Sequence, residues 1–396
     1  MKKFLLLVLT IVISTDPAFA APKPLQVKKI EIVASAPNAE GMVMSGKNLI
    51  TFSNNVASNS NIVVSAVDTN GISQWIRTID SGSDEIATVA TVDSLGNIWL
   101  GGSSAPAISS DSPTVVTGIE NPDGVIQEQL PKIRPDMTQL SLWKISPSGE
   151  LLATYISPQE SPGLVNAISA NSSGVSIVGQ LGNRPFLLSV STLGVFGKLI
   201  FLGSEKTQAN TLVRGADGSV NVFGSSAEKL AGKNLVGKRD GFLMKVSKSG
   251  SIASVVRSSA PKANRSWLAA DPTLTLTGFV KSGKVVETAF TKFNSTFVPT
   301  WTVRFPSLGI SYVSVSGNTT YGALNSNSAI KGLTGWRPNA SSLLVLSFDS
   351  KGVLTGGFGS FELTTPIALV SSRESGVFGL AAATDKSVSI FRVSTR

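Results

Sequence analysis

Thr88-Val-Ala-Thr-Val-Asp-Ser-Leu-Gly-Asn-Ile-Trp-Leu100, closed by Gly101 and Gly102, reads as two short strands around a tight turn. Thr, Val, Ile and Trp suit the pleated, half-buried surface of a sheet. Asp93-Ser94-Leu95-Gly96 supplies the turn, with glycine where a positive φ is needed. The closing glycine recurs after similar runs as Leu100-Gly101, Val178-Gly179, Phe223-Gly224, Thr277-Gly278, Tyr321-Gly322 and Phe378-Gly379. The intervals are 78, 45, 54, 44 and 57 residues. The first falls to 43 once the 35-residue, proline-bearing insertion Ser103 to Met137 is set aside. An earlier copy, Asn48 to Ser53, sits 48 residues before Gly101 and lacks the glycine.

Each unit repeats one grammar: strand, tight turn, strand, variable connection, a third alternating strand, a glycine turn and a fourth strand. The third-to-fourth turns read Thr69-Asn70-Gly71, Pro147-Ser148-Gly149, Thr192-Leu193-Gly194, Lys248-Ser249-Gly250 and Ser350-Lys351-Gly352. Unit five has Asn294-Ser295-Thr296 instead, with Asn expected to take the left-handed conformation. Four short antiparallel strands every 40 to 50 residues are the pattern of propeller blades. The expectation is an all-β fold, a seven-bladed β-propeller forming a single domain over residues 21–396. Its blades start near Gly41, Asp84, Leu164, Gln208, Arg265, Gly309 and Pro366. The seventh lacks a fourth strand, and Lys28 to Val33 is expected to supply it. That pairing would close the ring and remove an open edge, which otherwise invites aggregation. An open pair of sandwiched sheets is the competing arrangement.

Composition narrows the chemistry. The 396 residues contain no Cys and no His, 42% are hydrophobic and 15% charged, with a net charge of +9. These zeros exclude disulfides, thiolate nucleophiles, imidazole general bases, and Cys- or His-held metals. No cofactor and no metal are expected. At the N-terminus Lys2 and Lys3 precede an apolar run from Phe4 to Ile13, followed by Ala18-Phe19-Ala20. This is the layout of a signal peptide over residues 1–20, too short to span a membrane, with cleavage near Ala20. The expected product is secreted, periplasmic or at the cell surface, without a membrane span, and monomeric. It keeps 32 basic against 24 acidic residues.

Ser81 to Glu85 followed by Ile86 to Gly102, and Asp240 to Gly250, resemble the bacterial seven-bladed propeller repeat. The likeness extends with decay from about residue 41 to 393. It implies the scaffold and no shared active site, since such folds host many unrelated functions.

In a propeller the first-to-second and third-to-fourth turns share one face, and the other connections share the opposite face. The tight turns are expected on the first. The long segments, Ser103 to Met137, Ser225 to Arg239 and Asn325 to Ala340, fall on the second, where variable loops usually carry function. The blade-two insertion is acidic through Asp111, Glu120, Asp123, Glu128 and Asp136, against Lys132 and Arg134. Blades four to six are basic through Lys229, Lys233, Lys238, Arg239, Arg257, Lys262, Arg265, Lys331 and Arg337, with Trp336 beside them. Of these, Lys238, Arg239, Lys262, Arg265, Trp336 and Arg337 are the candidate binding residues. They would suit an anionic polymer, glycan or protein at the rim by charge focusing and ring stacking. A solvated fringe that keeps the protein soluble is the plainer alternative.

Asp80, Asp84 and Glu85 form an alternative acidic site for a carboxylate-dependent glycoside hydrolase or lyase, a chemistry that needs no His. Adjacent residues on an extended segment point to opposite sides, which favours turn or strand-end hydrogen bonding. Phosphate loops, dinucleotide fingerprints and EF-hand spacing are absent. Export and scattered aromatics argue against nucleic acid as a partner.

Overall fold

The computed structural model describes residues 24–56, 59–107 and 134–394. The expected leader and insertion residues 108–133, with Asp111, Glu120, Asp123, Glu128 and Lys132, lie outside the described residues. The chain forms seven antiparallel blades, and no helix occurs among the described residues. The innermost strands are Gly41–Ser45, Glu85–Val92, Gly163–Asn171, Thr207–Arg214, Asn264–Asp271, Ser311–Ser316 and Leu363–Ser372. Each packs on the next, and the seventh packs on the first, so the circuit closes.

Burial follows position within the blade. In blade two the second strand, Ile98–Ser104, is buried throughout because neighbouring blades cover both of its faces. The fourth, Leu151–Pro158, alternates between half-buried and exposed. Apolar clusters therefore form between blades: Val178 and Leu187 of blade three pack with Val222, Phe242 and Met244 of blade four.

Closure follows the expected route, with one refinement. Blade seven receives Glu31–Ser35 as its fourth strand, antiparallel to Val388–Val393, with Ile32 opposite Phe391 and Ala34 opposite Ile390. Glu31 and Arg392 add an ion pair at 2.7 Å. The expected strand Lys28 to Val33 is divided, because Lys28–Lys29 instead runs parallel to Leu354–Ser360, the fourth strand of blade six. Leu25–Gln26 runs parallel to Leu333–Thr334 in the blade-six loop. Between the two pairings Ile30 is buried with Leu363 and Phe391. The leading segment thus covers the outer edge of blade six before completing blade seven.

The third-to-fourth turns share a device. In blade one Asp68 Oδ1 accepts the amides of Asn70 and Ile72 at 2.8 and 2.9 Å. Asp349 accepts the corresponding two amides of its turn, and Ser146 and Ser247 each accept the amide four residues on. The glycine closing each turn meets a side chain from the fourth strand of the preceding blade. A Cβ at Gly149 (φ +87°) would lie 2.6 Å from the Trp75 ring, and one at Gly352 (φ +81°) 2.7 Å from Trp301. Glycine is required at these two positions by conformation and by space together. Trp75 Nε1 donates to the Pro147 carbonyl at 3.1 Å, and Arg77 Nε to that of Gly149 at 2.8 Å.

Blade five corrects an expectation. Asn294 is the acceptor of its turn, taking the amides of Thr296 and Val298, and the positive φ falls on Phe297 (+62°). A left-handed non-glycine residue costs roughly 1–2 kcal/mol. Phe297 is buried against Phe223, ring centres 6.0 Å apart, and a buried Phe gains about 1.5–3 kcal/mol. Packing therefore tolerates the strain.

Candidate ligand face and central funnel

The long second-to-third connections belong to blades two, four and six, at 105–138, 227–239 and 327–341. Blades three and five make the same connection with two residues, 182–183 and 283–284, using Gly182 (φ +55°) and Gly283 (φ +59°). Tight turns therefore occur on this face too, contrary to the expectation that all lie opposite. Short hairpins leave gaps between the long loops.

The blade-four loop is built around buried ions. Asp240 is fully buried and accepts the amides of Val236 and Gly237 at 2.9 and 2.8 Å, with Arg257 at 3.8 Å. Arg257 also donates to the carbonyls of Ser226 and Glu228. Glu228 turns back to Ser204 and Thr207. Burial works against its charge, but the Thr207 and Ser204 hydrogen bonds prevail and hold its carboxyl below the ordinary Glu value. Arg257, which the sequence reading counted as rim charge, is thus structural, and so is Glu228.

Lysines are left outside this frame. Lys238 N donates to the Ala263 carbonyl at 2.9 Å, which sets Lys238 beside Lys262. Arg239 Nη1 reaches the Lys206 carbonyl at 3.1 Å and is half-buried. Lys206, Lys238 and Lys262 are exposed at this junction of blades three, four and five, as are Lys229 and Lys233 on the loop. Glu205 is exposed alongside them.

The remaining candidates divide. Arg265 is only 8% exposed and lies over the Trp267 ring at 4.7 Å. Burial, reinforced by the charge of Arg304, pushes its guanidinium down to about 10. It belongs to the packing between blades rather than to the rim. Trp336 offers no open ring either: it is 2% exposed, stacks on Phe361 at 5.1 Å and donates Nε1 to Ser326 at 3.3 Å. The reason is that its loop folds back over blade six, where the indole fills the space above Gly359. Arg337 and Lys331 are exposed on that loop.

The acidic alternative is dispersed into loop anchoring. Asp84 accepts the Ser60 amide at 2.5 Å and pairs with Arg134, which also binds Asp136. Burial opposes its charge, while Ser60 and Arg134 outweigh that and hold Asp84 low. Glu85 is 2% exposed and accepts the Ser81 amide, and Asp80 accepts that of Gly82. No pair of carboxylates here faces a common space with a proton to exchange.

A funnel of about 560 Å³ opens inside the ring on the side of blades three to six. Its wall takes Asn166 and Gln180 from blade three, Gln208 and Asn210 from blade four, Leu268 from blade five, and Ile310, Ser311 and Tyr312 from blade six. Burial pushes the Tyr312 phenol above its ordinary value, although the residue keeps part of its surface in the funnel. The lining contains no charged side chain.

Sequence reading passed over this wall, which is shaped by β-bulges. The innermost strands of blades two to five each slip register by one residue, at Thr88, Asn166, Asn210 and Leu268. A bulge leaves a backbone group without its ladder partner. Around the ring that carbonyl is met by the preceding blade: Asn54 donates to Ala87 at 2.8 Å, Thr88 to Val165 at 2.6 Å, Asn166 to Ala209 at 2.9 Å, and Asn210 to Trp267 at 2.8 Å. Blade six has no such bulge, and the residue facing it from blade five is Leu268, which has nothing to donate.

No family model matches the sequence, and no curated protein matches it. Solved structures share the architecture. The WD40 domain of Neurospora crassa Pan2 superposes with a TM-score of 0.51 at 7% identity, covering 95% of this chain and 98% of that one. The WD40 domain of Toxoplasma gondii coronin gives 0.51 at 9%, covering 94% and 85%. The β-propeller domain of Cps50 (Swd1) from Myceliophteria_thermophila gives 0.50 at 10%, covering 91% and 98%. At such identities the likeness is one of fold. Among the described residues no helix is long and apolar enough to cross a membrane, and no cluster of Asp or Glu is arranged to hold a metal ion.

Proposed function

We propose that the chain is an exported binding module that engages an acidic polysaccharide of the cell envelope across its loop-bearing face. The observation that carries this reading is the group Lys206, Lys238 and Lys262, exposed at the junction of blades three to five, where Lys238 N bonds to the Ala263 carbonyl and the Arg239 guanidinium to the Lys206 carbonyl. Isolated surface charges are screened within about 8 Å at physiological salt, so clustering is what gives them a field. A propeller commonly serves as an interaction scaffold, and here the rim residues that bond to the frame are distinct from those left to solvent.

The test is retention on an anionic polysaccharide column. Wild type should elute earlier as salt rises, and Lys238→Glu with Lys262→Glu should lower affinity at least tenfold. The double variant should keep its stability within about 0.5 kcal/mol, as for exposed surface positions. Retention that is indifferent to salt and to both substitutions would sink the reading. Export is checked separately: mass spectrometry of the protein from its native host should find the mature chain starting at Ala21.

A further inference from the structure

We infer that the central funnel is a subsite for an uncharged sugar ring. The inference deepens the proposed function, and rests on it, in placing this subsite on the face that carries the polymer. Four carboxamides converge there, from Asn166, Gln180, Gln208 and Asn210. Asn166 and Asn210 spend their amide groups on the bulge carbonyls of the next blade, which fixes the side chains and leaves each Oδ1 as an acceptor. Gln180 and Gln208 make no side-chain hydrogen bond to the described residues, so each keeps a donor and an acceptor.

That inventory selects a ligand. A carboxamide sets a donor and an acceptor side by side, which suits neighbouring hydroxyls, each of which can give and take a hydrogen bond. Tyr312, with Leu268 and Ile310, adds an aromatic and aliphatic wall for the C–H face of a pyranose. The lining has no cation for a phosphate or carboxylate and no anion for an amine. Nucleotides and charged peptide ends therefore find nothing to neutralise them. A volume of about 560 Å³ falls in the range of small-molecule sites, and admits one or two sugar rings. The lysines on the same face hold the charged parts of the same strand.

The experiment is calorimetric titration of the full chain in 0.5 M NaCl. The probes are neutral oligosaccharides of two to six glucose, mannose, galactose or N-acetylglucosamine units. At least one series should bind. Gln180→Ala with Gln208→Ala should weaken it tenfold or more without moving the melting temperature, since neither side chain supports the fold. Tyr312→Ala should weaken it too, with some loss of stability because the ring also packs on the core of blades six and seven, and Tyr312→Phe should lose less of the binding while keeping the fold. Lys238→Glu with Lys262→Glu should leave this binding unchanged. No neutral saccharide binding, or binding indifferent to the glutamines, would overturn the subsite, as would an uncharged extended peptide being the only funnel ligand. If the funnel fails while salt-sensitive retention survives, the rim reading stands alone. If only the rim fails, neutral binding persists at high salt.

Discussion

The two faces of the disc use the same residue types to opposite ends. On the turn face Asp, Ser and Asn side chains close the turns on which they sit, and rings from one blade settle on the glycine of the next. There polar chemistry and shape are spent on holding neighbours together. On the loop face the buried acids and Arg257 fix the loops, while the lysines and glutamines lie beyond that frame. Short turns of one kind cannot vary without loosening the ring. Connections of 2 to about 34 residues on the other side can. The difference shows where this scaffold can be altered, and hence where selection for a ligand has room to act.

The sharpest way to break the comparison is at its glycines. Gly149→Val combines a positive φ with a collision against Trp75, and should cost about 3 kcal/mol or more in urea unfolding. Gly283→Ala on the loop face has a positive φ but open space around it, and should cost about 1 kcal/mol. Equal losses would mean that the neighbouring ring contributes nothing.

A second, smaller effect tests the bulge relay. Asn210→Ala leaves the Trp267 carbonyl without its partner and should cost about 1–2 kcal/mol by denaturant midpoint. Leu268→Asn should bring no gain, because the blade-six strand carries no bulge to satisfy. A stabilised Leu268→Asn protein would show that the pairing of donor to bulge is incidental.

The smallest effect is a pH one, and it concerns the turn face. Burial opposes ionisation of Asp93, but the Trp99 indole and Asn97 hydrogen bonds outweigh it and hold the carboxyl below its ordinary value. The folded value lies beneath the unfolded one. Its stabilisation is therefore complete above the unfolded value near 3.9 and fades as pH falls through the lower, folded value. Asp93→Asn should flatten this part of the acid limb in a thermal scan from pH 5 to 2. An unchanged slope would remove Asp93 from the account.

The blades and their closure were legible because turn glycines and β-branched runs recur in register, and because blade seven is one strand short where the opposite end has one to give. The funnel was not. Thr88, Asn166 and Asn210 follow one another at 78 and 44 residues, close to the 78 and 45 of the closing glycines, so a signal existed. It marked a bulge, however, and alternation alone cannot distinguish a bulged residue from an ordinary strand position. Trp336 misled for a different reason. A tryptophan between loop charges resembles an exposed platform, and only the return of its loop across Gly359 reveals that it is packing. Arg265 misled in the same way, since local sequence does not tell how deep between two blades a strand's second residue lies.

The ion pair of Glu31 with Arg392 joins residues 361 positions apart. During synthesis at about 5–20 residues per second, the first partner waits on the order of tens of seconds for the second. Blade six can take its cover, Lys28–Lys29, once residue 360 has been made, but blade seven cannot be completed until Val388–Val393 exists. The toroid is finished only by its latest-born strand, so any quality-control factor that grips the early segment holds the whole assembly open.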